Sequence, residues 1–305
     1  MEYSSTKNLS SDTFNNALSS PNEWNRKEVK KQLSERGYLI GQSIGEGSYS
    51  KVYYSEYRKS GQQQHFPERR ACKIINRNKS SMEYSQFLPR EIKTMIALSH
   101  PNIVSVYSVF EFGPYVCIFM DYCRCGDLLQ RIQSHGKLSE SKARLLFRQL
   151  ASAVQHMHSR GFCHRDIKCE NVLLCSPSHV KLSDFTFAKK CPCEEASQKL
   201  SATFCGSAAY AAPEILKGIP YHPKRYDMWS LGCVLFIMVT GTMPFDERNI
   251  PETIERQERK QYFYPDGVKP NPTIIELIDS LIEPDVNARA SIDQVVDCAW
   301  LQEVE

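Results

Sequence analysis

The chain has 305 residues, of which 41% are hydrophobic and 24% charged, as in an ordinary soluble globular protein of one large or two modest domains. A net charge of only +3 gives no reason to expect nucleic acid or an anionic membrane as a partner. The longest apolar run, Leu231 to Val239, has nine residues, far fewer than the roughly 20 that span a bilayer.

The chain begins with a polar segment. Serine, asparagine and charged residues dominate it and leave little to bury, so we predict a disordered tail over residues 1–36. The charged run from Asn25 to Arg36 could form a short helix within this segment. Met1 to Asn22 lacks the apolar core of a signal peptide. The twelve cysteines are scattered through apolar segments, so we expect reduced thiols and a cytoplasmic protein.

A strand pattern begins at Tyr38. Short apolar runs bounded by turn residues predict strands at 38–40, 52–54, 71–75, 103–112 and 116–120. The spacing of Ile92, Met95 and Ile96 predicts a helix from Phe87 to Leu98, where a His-Pro pair ends the pattern. This part of the chain should therefore form a small sheet with one helix.

Helical patterns dominate after Gly126. Ser139 to Ser159 carries a long amphipathic stripe, and Arg225 to Thr240 is mostly apolar, which predicts a helix at the buried centre of this part. A strand-rich part followed by a helix-rich part predicts an α+β fold of two lobes, with an N-lobe over about 38–122 and a C-lobe over about 123–301. The cleft where the lobes meet is the expected ligand site.

The most informative stretch is the loop from His164 to Asn171, which is followed thirteen residues later by Asp184 in the sequence D-F-T. An aspartate, a lysine and an asparagine at fixed offsets, followed by a second aspartate, are what phosphoryl transfer needs. In such a site Asp166 would orient the attacking hydroxyl, and Lys168 would meet the charge on the moving phosphoryl group. Asn171 and Asp184 would hold magnesium. A charged loop between two helices would show this order only by coincidence.

A glycine loop lies near the start of the strand-rich part. Gly45 to Val52 reads G-x-G-x-x-S-x-V between two predicted strands, and glycines let the backbone approach phosphates. Taken alone, this pattern favours an ordinary glycine hairpin over a phosphate loop, and a dinucleotide-binding fold would need a helix after the turn. Lys73 follows in the predicted strand A-C-K-I-I, and Glu91 lies on the next helix.

Together these motifs resemble those of protein kinases, with H-R-D-x-K-x-x-N, D-F-x and a lysine strand in the expected order. A-P-E at 212–214, D-x-W-S-x-G from Asp227, and Arg289 extend the resemblance over residues 38–301. It implies the two-lobed protein kinase fold, with ATP and Mg2+ as cofactors and protein serines or threonines as acceptors. Lys168 resembles the residue of serine/threonine kinases rather than that of tyrosine kinases.

The resemblance also implies an ATP site in which a Lys73–Glu91 ion pair aims the ammonium group at the phosphates. Met120 would lie at the back of the adenine pocket, and residues 121–123 would form the hinge. Val106, Met95, His164 and Phe185 would stack as a spine between the lobes. The implied ATP-binding residues are Ile44, Gly45, Glu46, Gly47, Ser48, Tyr49, Ser50, Val52, Ala71, Lys73, Glu91, Met120, Asp121, Cys123 and Leu173. Asp127, Glu170 and Ser207 are the implied substrate-binding residues.

The segment from Thr203 to Tyr221, with F-C-G-S-A-A-Y-A-A-P-E inside it, resembles the testis-specific serine kinase family. That likeness implies a role in spermatid differentiation. An arginine before the catalytic aspartate favours a phosphate partner, so we predict that an upstream kinase phosphorylates Thr203. The phosphate would pair with Arg165 and Lys189 and order the loop. Acidic Asp127 and Glu170 predict substrates with basic residues upstream of the acceptor.

One motif departs from the family pattern, because Thr186 replaces the usual glycine of D-F-G. Threonine is β-branched and cannot adopt the torsions open only to glycine, so we expect restricted flipping of Phe185 with magnesium binding retained. The alternative is a pseudokinase, a scaffold that binds nucleotide but transfers little phosphate. A pure interaction protein would require the whole set of catalytic residues to be coincidence. Nothing in the sequence indicates an obligate dimer, so a monomer is expected.

Overall fold

The computed structural model describes residues 26–47, 50–58, 66–78, 82–191, 200–246 and 248–303. It has the predicted α+β architecture, with a strand-rich N-lobe and a helical C-lobe. The N-lobe elements are α1 (Arg26–Glu35), β1 (Tyr38–Glu46), β2 (Ser50–Tyr57), β3 (Glu68–Asn76), α2 (Met82–Ala97), β4 (Val106–Phe112) and β5 (Tyr115–Asp121). The strands form one antiparallel sheet in the order β1-β2-β3-β5-β4.

Strand β5 is buried on both faces, which explains its uninterrupted apolar sequence. Successive side chains of a strand point to opposite faces. Ile118 and Met120 pack in the core that includes Ile92 of α2. Phe119 points the other way and packs in a second cluster with Leu33 of α1. The sheet therefore lies between α2 on one face and α1 on the other.

Helix α1 agrees with the short helix expected within the run from Asn25 to Arg36, but its packing corrects the expectation that residues 26–35 belong to a disordered tail. Val29 and Leu33 are 4% and 0% exposed against the sheet, and the Arg36 guanidinium lies 5.4 Å from the centre of the Phe112 ring. Two apolar residues four positions apart share one helix face, which overall composition could not reveal. The predicted tail over residues 1–25 lies outside the described residues.

Replacing Leu33 with alanine is expected to lower the free energy of unfolding by about 2–5 kcal/mol, because a fully buried leucine leaves a cavity. Leu39→Ala is the matched control, since Leu39 is 42% exposed on β1. The measurement is urea unfolding of the full chain. A loss for Leu33→Ala no larger than that for Leu39→Ala would show that α1 adds nothing to the stability of the N-lobe.

The C-lobe is built around one buried helix. Its helices are α3 (Leu128–His135), α4 (Glu140–Ser159), α5 (Pro213–Leu216), α6 (Pro223–Thr240), α7 (Ile250–Glu258), α8 (Pro272–Leu281), α9 (Ile292–Val296) and α10 (Ala299–Gln302). Its short strands are β6 (Phe162–Cys163), β7 (Val172–Ser176), β8 (His179–Leu182) and β9 (Lys189–Lys190). As predicted, α6 is buried over most of its length. A Cβ atom at Gly232 would lie 2.7 Å from that of Leu281, so glycine allows α8 to pack closely on α6.

The boundaries of several elements differ from those predicted. Strand β1 continues to Glu46, and α2 begins five residues earlier than expected and contains Pro89. Of its predicted apolar face, Ile96 is 51% exposed, because the helix turns this position away from the sheet. Among the described residues, none of the helices combines the length and apolar character needed to cross a membrane.

One contact between cysteines was not expected from the sequence, because Cys123 and Cys175 lie side by side with their Cα atoms 3.8 Å apart. The first follows β5 and the second lies on β7, 52 residues later. Backbone bonds next to them hold the two segments together, with Cys125 N–H donating to Leu174 O at 2.9 Å and Leu174 N–H to Gly126 O at 2.8 Å. Such long-range proximity could not be inferred from cysteine spacing. The other cysteines of the described chain are Cys72, Cys117, Cys125, Cys163, Cys169, Cys191, Cys205, Cys233 and Cys298.

Candidate active site

The glycine loop joins β1 to β2 at the upper edge of the cleft. Gly45 pairs with Val52 across the hairpin, and the Gly47 N–H donates to the carbonyl of Ser50 at 2.8 Å. Ile44 is 42% exposed, and Glu46 forms an ion pair with the next strand. Ser48 and Tyr49, both predicted to bind ATP, lie outside the described residues. The described part of the loop is thus a tight hairpin over the cleft.

The predicted adenine pocket is assembled from both lobes. Ala71 and Met120 belong to the buried core, and Val52 and Leu173 pack against the same core from β2 and β7. Because Leu173 lies on the C-lobe and the others on the N-lobe, the four side chains lie on both sides of the cleft. All four side chains thus belong to or border the core that runs between the lobes, and their joint role in an adenine pocket stays a prediction.

The hinge carries a feature that the sequence did not predict. The Asp121 carboxylate accepts from the backbone N–H of Ser105 at 2.9 Å and forms an ion pair with Lys181 of β8 at 2.8 Å. Burial would raise the pKa of Asp121, but these donors outweigh it and lower the pKa. The side chain thus ties the hinge to the C-lobe. The Cys123 backbone follows two residues later, next to β7.

Lys73, Glu91 and Asp184 converge at the centre of the cleft. The Lys73 ammonium lies 2.7 Å from Glu91 Oε1 and 3.7 Å from Asp184 Oδ1, and Glu91 is 1% exposed. Burial would raise the pKa of Asp184, but the Lys73 charge, followed by the Thr186 hydroxyl, outweighs burial and lowers the pKa to about 2. The predicted ion pair therefore forms, and the carboxylate of Asp184 is ionised at neutral pH.

The position of Phe185 agrees with the predicted spine. Its ring is fully buried and lies 5.1 Å from the His164 ring, measured between centroids. Met95 belongs to the same core, and Val106 packs against it. His164 is held from the other side, where its Nε2 lies 3.0 Å from Ser183 O. Helix α2 and the D-F-T segment are thus packed together across the lobes.

Both carboxylate oxygens of Asp166 have partners, one in the segment before A-P-E and the other in the catalytic loop. Its Oδ1 accepts from the Ser207 N–H at 3.1 Å. Its Oδ2 lies 2.9 Å from the Lys168 ammonium and 3.1 Å from Asn171 Nδ2. Lys168 also donates to the Ser207 hydroxyl at 2.8 Å. Ser207 therefore joins the catalytic loop to the segment before A-P-E, a role that the sequence alone did not show.

The loop itself is anchored on α6. Asp227 accepts from the backbone N–H groups of His164 at 2.9 Å and Arg165 at 2.7 Å, and His158 lies 2.9 Å from the same carboxylate. The Arg165 backbone has a positive φ of 66°, which costs energy for a residue with a Cβ. The buried aspartate therefore holds the loop in a turn that would otherwise be unfavourable.

The two cations predicted to bind phosphorylated Thr203 instead contact Ser201. Arg165 reaches the Ser201 hydroxyl at 3.3 Å, and the Lys189 ammonium reaches it at 3.4 Å. Ser201 is 1% exposed, whereas Thr203 is exposed and its carbonyl accepts from the Tyr221 hydroxyl at 2.9 Å. The sequence missed Ser201, although a serine two residues before the predicted threonine was a visible signal.

Two predicted substrate contacts lie on the C-lobe side of the cleft. Asp127 caps α3 by accepting from the Gln130 N–H at 2.8 Å, and its backbone forms a bridge with Leu173. Glu170 is exposed and accepts from the Tyr210 hydroxyl at 3.1 Å. Each carboxylate therefore has a structural partner and keeps exposed surface at the cleft.

Comparison with known proteins gives this geometry a family context. The protein kinase domain family matches residues 38–301. The chain is similar to testis-specific serine/threonine-protein kinase 1 of Mus musculus, with 44% identity over 273 residues that cover 88% of this chain and 73% of that protein. It is also similar to testis-specific serine/threonine-protein kinase 3 of Homo sapiens, with 40% identity over 271 residues, 88% of this chain and 97% of the relative. Testis-specific serine/threonine-protein kinase 4 of Homo sapiens is 36% identical over 285 residues, 88% of this chain and 84% of the relative.

Proposed function

The chain belongs to the protein kinase family and is a serine/threonine kinase, and on that premise we propose that it transfers the γ-phosphoryl group of ATP to proteins with basic residues upstream of the acceptor. The observation that supports this most is the joint position of two ion pairs. Lys73 lies 2.7 Å from Glu91 on the nucleotide side, and Lys168 lies 2.9 Å from Asp166 on the acceptor side. A pseudokinase that no longer transfers phosphate would not need both ion pairs.

The residues at the cleft also fit magnesium. Mg2+ prefers oxygen ligands and is usually held by one or two carboxylates together with substrate phosphates. Asp184 offers an ionised carboxylate with a pKa of about 2. Asn171 offers an amide oxygen, because its Nδ2 end is fixed on Asp166 at 2.8 and 3.1 Å. When bound, Mg2+ supplies positive charge that neutralises the phosphate oxygens.

The chain's own residues then divide the chemistry between them. Asp166 orients the acceptor hydroxyl and takes its proton. Lys168 lies beside Asp166 and stabilises the negative charge that develops on the transferring group. Lys73, held by buried Glu91, binds the phosphates that stay with the nucleotide. The apolar side chains of Val52, Ala71, Met120 and Leu173 exclude water around the adenine.

The test is phosphate transfer from magnesium-ATP by purified protein to a serine peptide with arginine upstream. Asp184→Ala is the control, because it removes the proposed magnesium carboxylate. We expect transfer by the wild type and none by the control. If the wild type binds ATP but transfers no phosphate, the pseudokinase alternative is correct. Thr186 would then be the first residue to replace in a search for the cause of inactivity.

Substrate preference gives a separate prediction for Asp127→Asn and Glu170→Gln. Each change removes a charge but keeps an acceptor, so the α3 cap and the Tyr210 bond are retained. We expect the KM for an arginine-containing peptide to rise about fivefold for each variant, as for an exposed ion pair worth up to about 1 kcal/mol. A peptide with alanine in place of arginine should show no change. Equal effects on both peptides would contradict direct charge recognition.

The activation-loop prediction concerns Thr203, which we propose as the site of an upstream kinase. Thr203 is exposed and lies two residues from Ser201, the residue that Arg165 and Lys189 contact. A phosphate there would give these cations charge-assisted partners. Thr203→Ala should lower turnover about 10-fold and remove the phosphate found by mass spectrometry. Ser201→Ala is the comparison, and phosphate only at Ser201 in the active enzyme would overturn the assignment.

We also propose a role in spermatid differentiation, with the protein acting as a cytoplasmic monomer. The role in spermatid differentiation is supported by the names of the relatives, which are testis-specific kinases. Measuring the protein across tissues and stages of male germ cells tests the role. Equal amounts in unrelated tissues would count against it. Light scattering of the purified chain and imaging of a fluorescent fusion test the other two points.

A further inference from the structure

The threonine that replaces glycine in D-F-T lies between two carboxylates. The Thr186 hydroxyl is 2.7 Å from Asp184 Oδ1 and 3.1 Å from Glu91 Oε2. Glu91 is 1% exposed and Thr186 is 9% exposed, so the contact is shielded from solvent. One carboxylate belongs to the proposed magnesium site, and the other is the residue of α2 that holds Lys73.

The charges at this point explain why a hydroxyl is useful there. Glu91 and Asp184 are both acidic and both lie near the Lys73 ammonium group, which is closer to Glu91 than to Asp184. Two neighbouring carboxylates repel each other, and here the repulsion acts on Glu91 in its buried position. The hydroxyl has one proton, which lies within reach of both carboxylates, and a hydrogen bond to a charged acceptor is stronger than one between neutral groups.

The backbone at Thr186 shows no strain that would argue for a disabled site. Among the described residues, the non-glycine positions with positive φ are Arg165, Asp184 and Lys260. The left-handed conformation of this motif is therefore taken by Asp184, at φ 61°, and aspartate tolerates it better than most residues. The β-branch of Thr186 fits its position, and its side chain is free to act as a link.

We propose that Thr186 is a positioning residue that fastens α2 to the Asp184 segment, so that Glu91, Lys73 and Asp184 keep their working arrangement before nucleotide binds. The inference rests on the proposed kinase function. It differs from the family pattern, because glycine has no side chain to make this link. In this chain, α2 is held to the C-lobe side of the cleft by a direct contact from Thr186 to Glu91.

The test compares three substitutions at this position. Thr186→Val keeps the β-branched shape and removes the hydroxyl, Thr186→Gly restores the family residue, and Thr186→Ser keeps the hydroxyl. Hydrogen exchange of the α2 amides is measured on the full chain without nucleotide, and kcat and KM are measured with magnesium-ATP and peptide. Thr240→Val is the control, because it removes another buried hydroxyl, which donates to Phe236 O at 2.7 Å far from this site.

We expect Thr186→Val and Thr186→Gly to speed exchange of the α2 amides about 10-fold and to lower kcat about 10-fold with peptide KM unchanged. Thr186→Ser should keep both values near those of the wild type. The proposal would be overturned if the α2 amides of Thr186→Val exchanged at the wild-type rate. It would also be overturned if Thr186→Ser lost as much kcat and α2 protection as Thr186→Val. If Thr240→Val sped exchange of the α2 amides as much as Thr186→Val, the proposal would also be overturned, because the effect would reflect a general loss of stability. If the wild type transfers no phosphate, the proposed function fails, while the exchange measurement still decides whether Thr186 holds α2.

Discussion

The Asp166→Asn enzyme is expected to transfer phosphate to peptide about 10²–10⁴ times more slowly than the wild type, which is the usual contribution of a positioned general base. The KM for ATP should change little, because the nucleotide side of the cleft depends on Lys73 and Glu91. Steady-state kinetics with magnesium-ATP and an arginine-containing peptide measure both quantities.

The expected loss follows from how Asp166 is held. Ser207 donates to one oxygen at 3.1 Å, and Lys168 and Asn171 contact the other at 2.9 and 3.1 Å. Asparagine keeps the size of the side chain but loses the charge and one acceptor, so it cannot take the proton of the acceptor hydroxyl. The matched control is Asp266→Asn, the same chemical change at an exposed position. A kcat within tenfold of the wild type would show that Asp166 is not the base.

The second large effect is on stability. Arg289→Ala is expected to lower the free energy of unfolding by about 3–5 kcal/mol, because removing one partner of a buried ion pair leaves the other charge uncompensated. The Arg289 guanidinium meets the two oxygens of Glu214 at 2.7 and 3.0 Å, and the arginine is 1% exposed. It also donates to the carbonyls of Glu283 at 2.7 Å and Arg225 at 3.0 Å. Denaturant unfolding of the purified variant gives the value.

Two further variants make this prediction sharper. Arg248→Ala breaks an exposed pair with Asp246 and should lower stability far less than Arg289→Ala, because water and salt screen surface ion pairs. The double variant Glu214→Leu/Arg289→Met should recover part of the lost stability, because no buried charge remains alone. Recovery should be incomplete, because the carbonyls of Glu283 and Arg225 lose the hydrogen bonds that Arg289 donates to them. A loss in Arg289→Ala no larger than that in Arg248→Ala would show that the buried pair does not hold A-P-E in place.

The sequence was most informative where chemistry requires particular residue types at short spacing. The catalytic loop from His164 to Asn171 is local, so its offsets could be read directly, and the structure brings Asp166, Lys168 and Asn171 together. The long apolar helix α6 was equally clear, because a helix that is apolar on all sides must be buried. Membership of the kinase family was predicted from these motifs, and the comparisons confirm it.

Predictions from composition were weaker. The polar run before Tyr38 was assigned to a tail, yet two apolar residues in it bury helix α1 against the sheet. Composition averages over a segment, whereas burial depends on which face of a helix each residue occupies. The closeness of Cys123 and Cys175 was missed for a similar reason, since they are neighbours only because the hinge lies along β7.

The sequence by itself determined the family, the two-lobed architecture and the identity of the charged residues in the cleft. It could do so because each motif lies within a few residues or follows a periodic pattern. The motifs implied the Lys73–Glu91 pair, but only the tertiary structure decided further contacts between polar residues distant in sequence. Ser201, rather than Thr203, lies between Arg165 and Lys189, and Thr186 lies between Asp184 and Glu91, 95 residues away from the latter. Contacts of this kind depend on the packing of β3, α2 and the D-F-T segment together, and hydrogen bonds change with shifts of a few tenths of an ångström that no local pattern encodes.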